Sequence, residues 1–224
     1  MKQHKPIKKK KHLEIHLQSI PGHLEPKVEL EQYSTPSVIA ADILWTAYSL
    51  GDIEDKNVLD LACGTGIFAI GAKILGAREV WGIDIDEHAL QTAKSIALEK
   101  GLTSRINFMA LDLRKDDLDK IINLEFAEID TIIQNPPFGS QSRSLKGSDR
   151  IFMEKSLQIS PVVYSFHMAE TEDFVEKYFL KFGGKITHKF FYQFPLPKIY
   201  HFHKKESKDI EVIVVRVERI NNLI

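Results

Sequence analysis

The residues of this 224-residue chain that are best suited to chemistry fall in two places. The first is Asp60-Leu-Ala-Cys-Gly-Thr-Gly66. Its glycines, Gly64 and Gly66, let backbone pass close under a ligand, and a helix starting after them offers free N–H groups. Asp84, in Gly82-Ile-Asp-Ile-Asp86, follows 18 residues after Gly66. An acid there can accept hydrogen bonds from both hydroxyls of a ribose. Ile85 beside it would pack on the face of an attached base, or else belongs to the core. Gly64, Gly66 and Ala69 also satisfy the G-x-G-x-x-A pattern, so the glycines alone leave a nicotinamide dinucleotide open. Asp60 shifts the balance. An acid before the glycines opposes a pyrophosphate and suits a ligand with an amino group and no phosphate. S-adenosylmethionine, with its ribose, adenine, ammonium and sulfonium, is such a ligand. Asp112 adds an acceptor for the adenine amino group, with helix capping or solvation as its alternative.

The second place is Asp130-Thr-Ile-Ile-Gln-Asn-Pro-Pro-Phe138. Pro136 and Pro137 fix the backbone and remove two donors while keeping their carbonyl acceptors. The Asn135 side-chain oxygen and the Pro136 carbonyl can then receive both hydrogens of an exocyclic amine. Held that way, the nitrogen of a planar amine is pushed toward a pyramidal shape and its lone pair is aimed at a methyl donor. Phe138 would stack on the base, an interaction worth ~1–3 kcal/mol in single-strand binders. The rest is in-line alignment and local acceptors, with no metal and no strong base. The alternative is a tight turn with Phe138 in the core.

These residues need elements to position them. Apolar runs read as strands over Asn57–Leu61, Glu79–Ile83, Ile106–Ala110, Ile129–Gln134 and Pro161–Phe166. Helices are expected over residues 36–50, from Gly66 to Leu75, over Asp86–Lys100 and over Glu170–Phe182. Lys185–Tyr192 and Asp209–Val217 would form a terminal antiparallel hairpin around a loop with Pro195 and Pro197. Gly139 to Ser148 reads as a loop. The fold class expected is α/β and Rossmann-like: a seven-stranded, mostly parallel sheet with helices on both faces, ending in that hairpin. Both motifs then sit at carboxyl ends of strands, where open α/β sheets bind ligands.

Composition sets the outer bounds. A 43% hydrophobic, 27% charged chain is an ordinary globular one, and its single cysteine excludes an internal disulfide framework and a cysteine zinc cage. That usage fits a reducing compartment, and a cytoplasmic location is expected. No apolar run reaches the ~18 residues of a membrane span, and no secretory signal is visible. Residues 1–12 hold six lysines and no acid, leaving 24 basic against 31 acidic side chains in residues 13–224. The division expected is a basic tail and lead-in over residues 1–29 and a catalytic domain over 30–224. The tail would be a phosphate-binding arm, or a solvated one.

Taken together, DLACGTG, GIDID and NPPF resemble the class I S-adenosylmethionine-dependent methyltransferases acting on planar amino groups. The chain more narrowly resembles the methyltransferase-like protein five family of rRNA adenine-N6 methyltransferases. Leu30-Glu-Gln-Tyr-Ser-Thr35, Lys146-Gly-Ser-Asp149, Val163-Tyr-Ser-Phe-His167, and Phe202-His-Lys-Lys205 with Asp209-Ile-Glu-Val212 give the narrower likeness. The resemblance implies methylation of adenosine N6 in small-subunit rRNA, on a base splayed from its helix. It implies that Gln32, Tyr33 and Thr35 close over the cofactor, where capping by Ser34 or Thr35 is the plainer reading. It implies that Lys146 and Arg150 meet phosphates beside the target base and that His203, Lys204 and Lys205 face RNA; solvated loops are the alternatives. It also implies a small zinc-binding activator protein that adds a strand to the sheet edge. Ser34 departs from the proline of many relatives, and the lysine-rich tail is an addition. Rival functions are transfer to guanine N2, DNA adenine or a protein glutamine, or an RNA-associated cofactor-binding protein without turnover.

Other residues have plainer readings. Cys63 needs to be small, so its side chain packs while its backbone lines the cofactor site. His12 and His16 lack a third ligand, and no metal is expected. Trp45 and Trp81 belong to the core.

Overall fold

The computed structural model describes residues 7–23, 26–27, 30–115, 128–138, 147–196 and 208–220. Two helices come first, α1 (Lys10–Gln18) and α2 (Ser37–Ser49). A β/α alternation follows: β1 (Asn57–Leu61), α3 (Ile67–Ile74), β2 (Glu79–Asp84), α4 (Glu87–Glu99), β3 (Ile106–Ala110) and β4 (Thr131–Gln134). The chain closes with α5 (Ser148–Ile159), β5 (Val162–Met168), α6 (Glu172–Lys181), β6 (Gly184–Leu196) and β7 (Lys208–Arg219). The seven strands lie in the order β3-β2-β1-β4-β5-β7-β6, with β7 antiparallel to both its neighbours and the rest parallel. The strand order reverses between β1 and β4, which opens a crevice at their carboxyl ends.

Period-two alternation divides the core. Val58, Val80, Ile133, Tyr164 and Phe166 face α1 to α4, whereas Leu59, Leu61, Ile83, Ile132 and Val163 face α5 and α6. A buried ion pair ties the layers below the sheet. Arg216 on β7 donates from Nε to Asp52 Oδ2 at 2.8 Å, and Tyr164 donates to the same oxygen at 2.6 Å.

Four expectations change. Residues 10–18 are helical, and Leu13 and Leu17 of that helix are fully buried, so the lead-in contributes to the core ahead of Leu30. Ser148–Ile159, unassigned from sequence, is a helix whose Met153 and Leu157 are buried. Pro195 is not in the hairpin loop: it pairs with Asp209 inside a ladder running out to Leu196. The edge position of β6 explains this, since a missing N–H can face outward there. Trp81 is buried as expected, but Trp45 is only partly so. No helix of the described residues is long and apolar enough to cross a membrane.

Candidate functional site

The cleft lies over the carboxyl ends of β1, β2 and β4. Its larger part, about 800 Å³, is walled by Gly64, Asp84, Ile85, Leu113, Asn135 and Phe152, among others. A smaller part of about 450 Å³ is bounded by Thr35, Cys63, Thr65 and Phe68. The two parts share His23, Tyr33, Ala62, Gly64 and Asn135, so they meet at the tips of β1 and β4.

The turn after β1 follows from its residues. Gly64 and Gly66 adopt φ of +51° and +84°, which L side chains rarely adopt. The Gly66 amide closes the turn on the Cys63 carbonyl at 2.8 Å, and α3 starts directly after it. Asp84 is anchored twice by backbone: Gly64 N–H donates to Oδ2 at 2.7 Å and Asp86 N–H to Oδ1 at 2.9 Å. Each oxygen keeps a second lone-pair direction, as a vicinal diol requires. Burial raises the Asp84 pKa above the usual carboxylate range, partly offset by those two amides. Ile85 is 40% exposed in the cleft wall, where an aliphatic face suits a planar base.

Asp60 is not in the wall. It is fully buried beneath the turn, where Oδ2 accepts from Ala69 N–H at 2.8 Å and Oδ1 has no partner. Burial pushes its pKa well above the usual range. Its direct contact with a ligand is therefore replaced by a brace on α3 from beneath the turn. Asp112 is in the wall, but its carboxylate takes a bidentate fork from Arg114, at 2.9 and 3.0 Å. That fork, joined by the Arg114 amide on Oδ1 at 3.0 Å, holds its pKa below the usual range. Cys63 is buried, and burial raises its thiol pKa, so it packs rather than reacts.

A strap from the lead-in crosses this cleft. Thr65 Oγ1 donates to the Pro21 carbonyl at 2.8 Å, and His23 N–H donates to Ser34 Oγ at 3.2 Å. Gln32 uses both ends of its amide: Nε2 donates to Asp86 Oδ2 at 2.8 Å, and Oε1 accepts from Lys27 N–H at 2.8 Å. Lys27 Nζ bridges to Asp86 Oδ1 at 2.9 Å. Burial raises the Asp86 pKa, but Gln32, Lys27 and the His88 amide outweigh it, and the net shift is downward. Gln32 thus braces the strap as well as lining the cleft. Neither Ser34 nor Thr35 caps α2, whose start carries no side-chain cap bond. Thr35 Oγ1 instead accepts from Asn135 Nδ2 at 3.0 Å.

Of the NPPF segment, Asn135 and Pro137 line the cleft. Pro136 is buried, and Phe138 is partly buried against the core on the α1–α4 side. Arg150, exposed on the first turn of α5, stacks over Phe174 and Tyr178 at 5.1 and 5.9 Å. Lys146, His203, Lys204 and Lys205 lie outside the described residues. Sequence reasoning missed His23, Arg114 and Phe152 in the wall, and Asp86 as the strap's anchor. The second acid of GIDID was the available signal for Asp86. Phe152 needed α5 to be recognised first.

An aliphatic base-sized wall beside a doubly anchored, buried carboxylate and a glycine turn fits a nucleoside. A family model for ribosomal protein L11 methyltransferase (PrmA) matches residues 45–135. A Danio rerio protein named rRNA N(6)-adenosine-methyltransferase METTL5 is 36% identical over 210 residues, covering 93% of this chain and 98% of its own. The chain belongs to the METTL5 family. An uncharacterized Methanocaldococcus jannaschii relative is 43% identical over 95% of both chains. The crystal structure of a candidate RNA methyltransferase from Pyrococcus horikoshii superposes with a TM-score of 0.83 at 37% identity, covering 96% of this chain and 99% of its own. The PrmA match ends at Asn135, so it covers the turn after β1 and Asp84 but none of the chain after NP. The METTL5 likeness spans nearly the whole chain, including most of the half that follows the catalytic turn.

Proposed function

We infer that the chain is an S-adenosylmethionine-dependent methyltransferase that modifies N6 of an adenosine in rRNA, as METTL5-family enzymes do. One observation supports this most: Asn135 and Pro137, at the tip of β4, wall the same cleft as the doubly anchored Asp84. A nucleoside cofactor held at Asp84 and an amine held at Asn135 are then neighbours.

When bound, S-adenosylmethionine supplies an electrophilic sulfonium methyl. The protein's own part is positioning. Asp84 takes the ribose hydroxyls, Ile85 lies against the adenine, and Asp112 accepts from the adenine amine. Gly64, Gly66 and the Cys63 backbone let the cofactor pass close over the turn, which Asp60 braces from beneath. Tyr33 closes the far side, and Thr35 lies in the wall of the smaller part of the cleft. The Asn135 Oδ1 and Pro136 carbonyl accept the two N6 hydrogens of a flipped adenosine, Pro137 fixes the turn, and Phe138 offers its accessible part to the base. Both acceptors face the nitrogen where positive charge develops during transfer, so they favour the transition state over the ground state. The acidity of the resulting cation makes a strong base unnecessary. Arg150, pinned by two rings, is placed to meet an RNA phosphate, and Lys146 with His203, Lys204 and Lys205 would extend that surface.

The test is transfer of labelled methyl to rRNA lacking native methylation, followed by nucleoside analysis. Label is expected in N6-methyladenosine with the wild type and is lost with Asn135→Ala. Label in another nucleoside, in DNA or in protein would keep the chemistry and discard the substrate. Cofactor binding with no transfer would point to a missing activator or to a non-catalytic factor, and adding the partner decides between them. Among the described residues the sheet ends in β3 and β6, and either edge would accommodate a partner that adds a strand. Copurification of a small zinc protein from the native host checks it, and full activity of the lone chain would exclude its need. Action on rRNA and an unpaired buried thiol fit the cytoplasm.

A further inference from the structure

Resting on the methyl-transfer reading, one question remains about Asn135: which end of its amide meets the acceptor amine. Only the oxygen can accept the N6 hydrogens, and an amide presented nitrogen-first would set donor against donor. The terminal torsion of asparagine is broad and roughly two-fold, so packing alone scarcely separates the two orientations. A polar partner engaged by Nδ2 leaves Oδ1 for the amine.

Thr35 is that partner in the structure. Its Oγ1 lies 3.0 Å from Asn135 Nδ2, across 100 residues of chain. The hydroxyl is committed to this contact and not to a helix end, because α2 begins at Pro36 with no side-chain cap. It is also well placed to hold position. Thr35 is 9% exposed, its χ1 is stiffened by β-branching, and Pro36 fixes the backbone that follows. Behind it, α2 is sunk in the core through Ile39, Ala40, Ile43 and Leu44. On its other side the strap is tied to Asp86 through Gln32. We propose that Thr35 is the positioning residue for Asn135: its hydroxyl oxygen holds Nδ2 and thereby turns Oδ1 toward the target amine. This role differs from closing over the cofactor, because it predicts loss of turnover without loss of cofactor affinity.

The experiment compares Thr35→Val, Thr35→Ser, Asn135→Ala and the Thr35→Val/Asn135→Ala double variant. Valine keeps the shape and removes the acceptor, while serine restores it. Misplacing a reacting group by about 1 Å costs on the order of a hundredfold. Thr35→Val is therefore expected to lower kcat roughly thirtyfold, with the dissociation constant of S-adenosylmethionine changed less than about threefold. Thr35→Ser should recover most of kcat, and the double variant should be no slower than Asn135→Ala alone. In the free protein, the Asn135 side-chain amide resonances should shift in Thr35→Val and return in Thr35→Ser. Wild-type kcat in Thr35→Val, or a loss of cofactor affinity with kcat kept, would overturn the proposal. If no acceptor is methylated by the wild type, alone or with the activator protein added, the methyl-transfer reading fails. The amide resonances still decide the contact: unmoved in Thr35→Val, they overturn it.

Discussion

Asp84→Asn is the sharpest probe of the cofactor site because the structure states what each oxygen does. Oδ2 accepts the Gly64 amide at 2.7 Å and Oδ1 the Asp86 amide at 2.9 Å. Asparagine has one acceptor oxygen, so its NH2 must confront one of those two N–H groups. That loss is felt with and without cofactor and shows as reduced stability. The effect on binding comes from the other lone pairs. One ribose hydroxyl loses its acceptor and the other exchanges a charged acceptor for a neutral one. Hydrogen bonds to charged groups contribute about 1.5–3 kcal/mol and neutral ones about 1. The combined loss is about 3 kcal/mol, or roughly a hundredfold in dissociation constant. Titration calorimetry with S-adenosylmethionine measures it. A change below fivefold in Asp84→Asn would refute the ribose assignment. Acid provides a second check. Burial raises the Asp84 pKa, so wild-type affinity is full above that raised pKa and falls as pH drops through it. Asp84→Asn should show no such fall.

Gly64→Ala combines an unfavourable φ of +51° with a Cβ only 2.9 Å from His23 Nε2. It should weaken cofactor binding about tenfold, and adding His23→Ala should recover the steric part but not the backbone part, as calorimetry would show. Asp52→Ala strands the Arg216 guanidinium, which keeps only Glu218 and the Thr187 hydroxyl. The loss should be about 3 kcal/mol by urea unfolding, with cofactor affinity unchanged in the folded fraction. Burial drives the His167 pKa down to about 3. The neutral ring's contribution is complete above the unfolded value near 6.5 and is lost as pH falls from there toward 3. Between pH 7 and pH 5 this amounts to about 2 kcal/mol, and His167→Gln should remove that part of the acid slope in paired urea titrations.

The sequence showed where strands lie more clearly than where helices lie. Asn57–Leu61 and Ile106–Ala110 match the observed β1 and β3 residue for residue. Short apolar runs between turns have few other ways to be buried. The run of lysines from Lys8 to Lys11 hid α1, although Leu13 and Leu17 already had helical spacing. α5 was obscured because it follows a Gly-, Ser- and Lys-rich stretch that reads as loop. At the site, the sequence offered candidates because the proposed chemistry restricts residue types, an acid such as Asp84 for a diol and acceptors such as Asn135 for an amine, and the structure brings these two to one cleft. Partners were not legible. The Asp112–Arg114 fork depends on a side-chain rotamer, the burial of Asp60 on the turn that folds over it, and the Thr35–Asn135 contact on two elements 100 residues apart.

The height of the catalytic turn is set at the far end of its strands. β1 and β4 pair in parallel with Leu61 opposite Gln134, so Ala62 and Asn135 leave the sheet at the same level. β4 has only four residues, and a slip of one would move Asn135 by about 3.3 Å and turn it to the other face. Short parallel pairing resists such a slip weakly, and the buried faces of Ile132 and Ile133 are alike in kind. The register is fixed where β4 begins. Asn57 N–H donates to Asp130 Oδ2 at 2.8 Å, Asn57 Nδ2 donates to the Glu128 carbonyl at 2.9 Å, and Asp130 N–H returns to the Asn57 carbonyl at 3.0 Å. One residue further on, Thr131 Oγ1 donates to the Asp52 carbonyl at 2.7 Å. These polar contacts single out one register in a way that aliphatic side chains cannot. Asn57, Asp130 and Thr131 lie outside the cleft wall, yet they hold the register that brings Asn135 and Asp84 to one cleft.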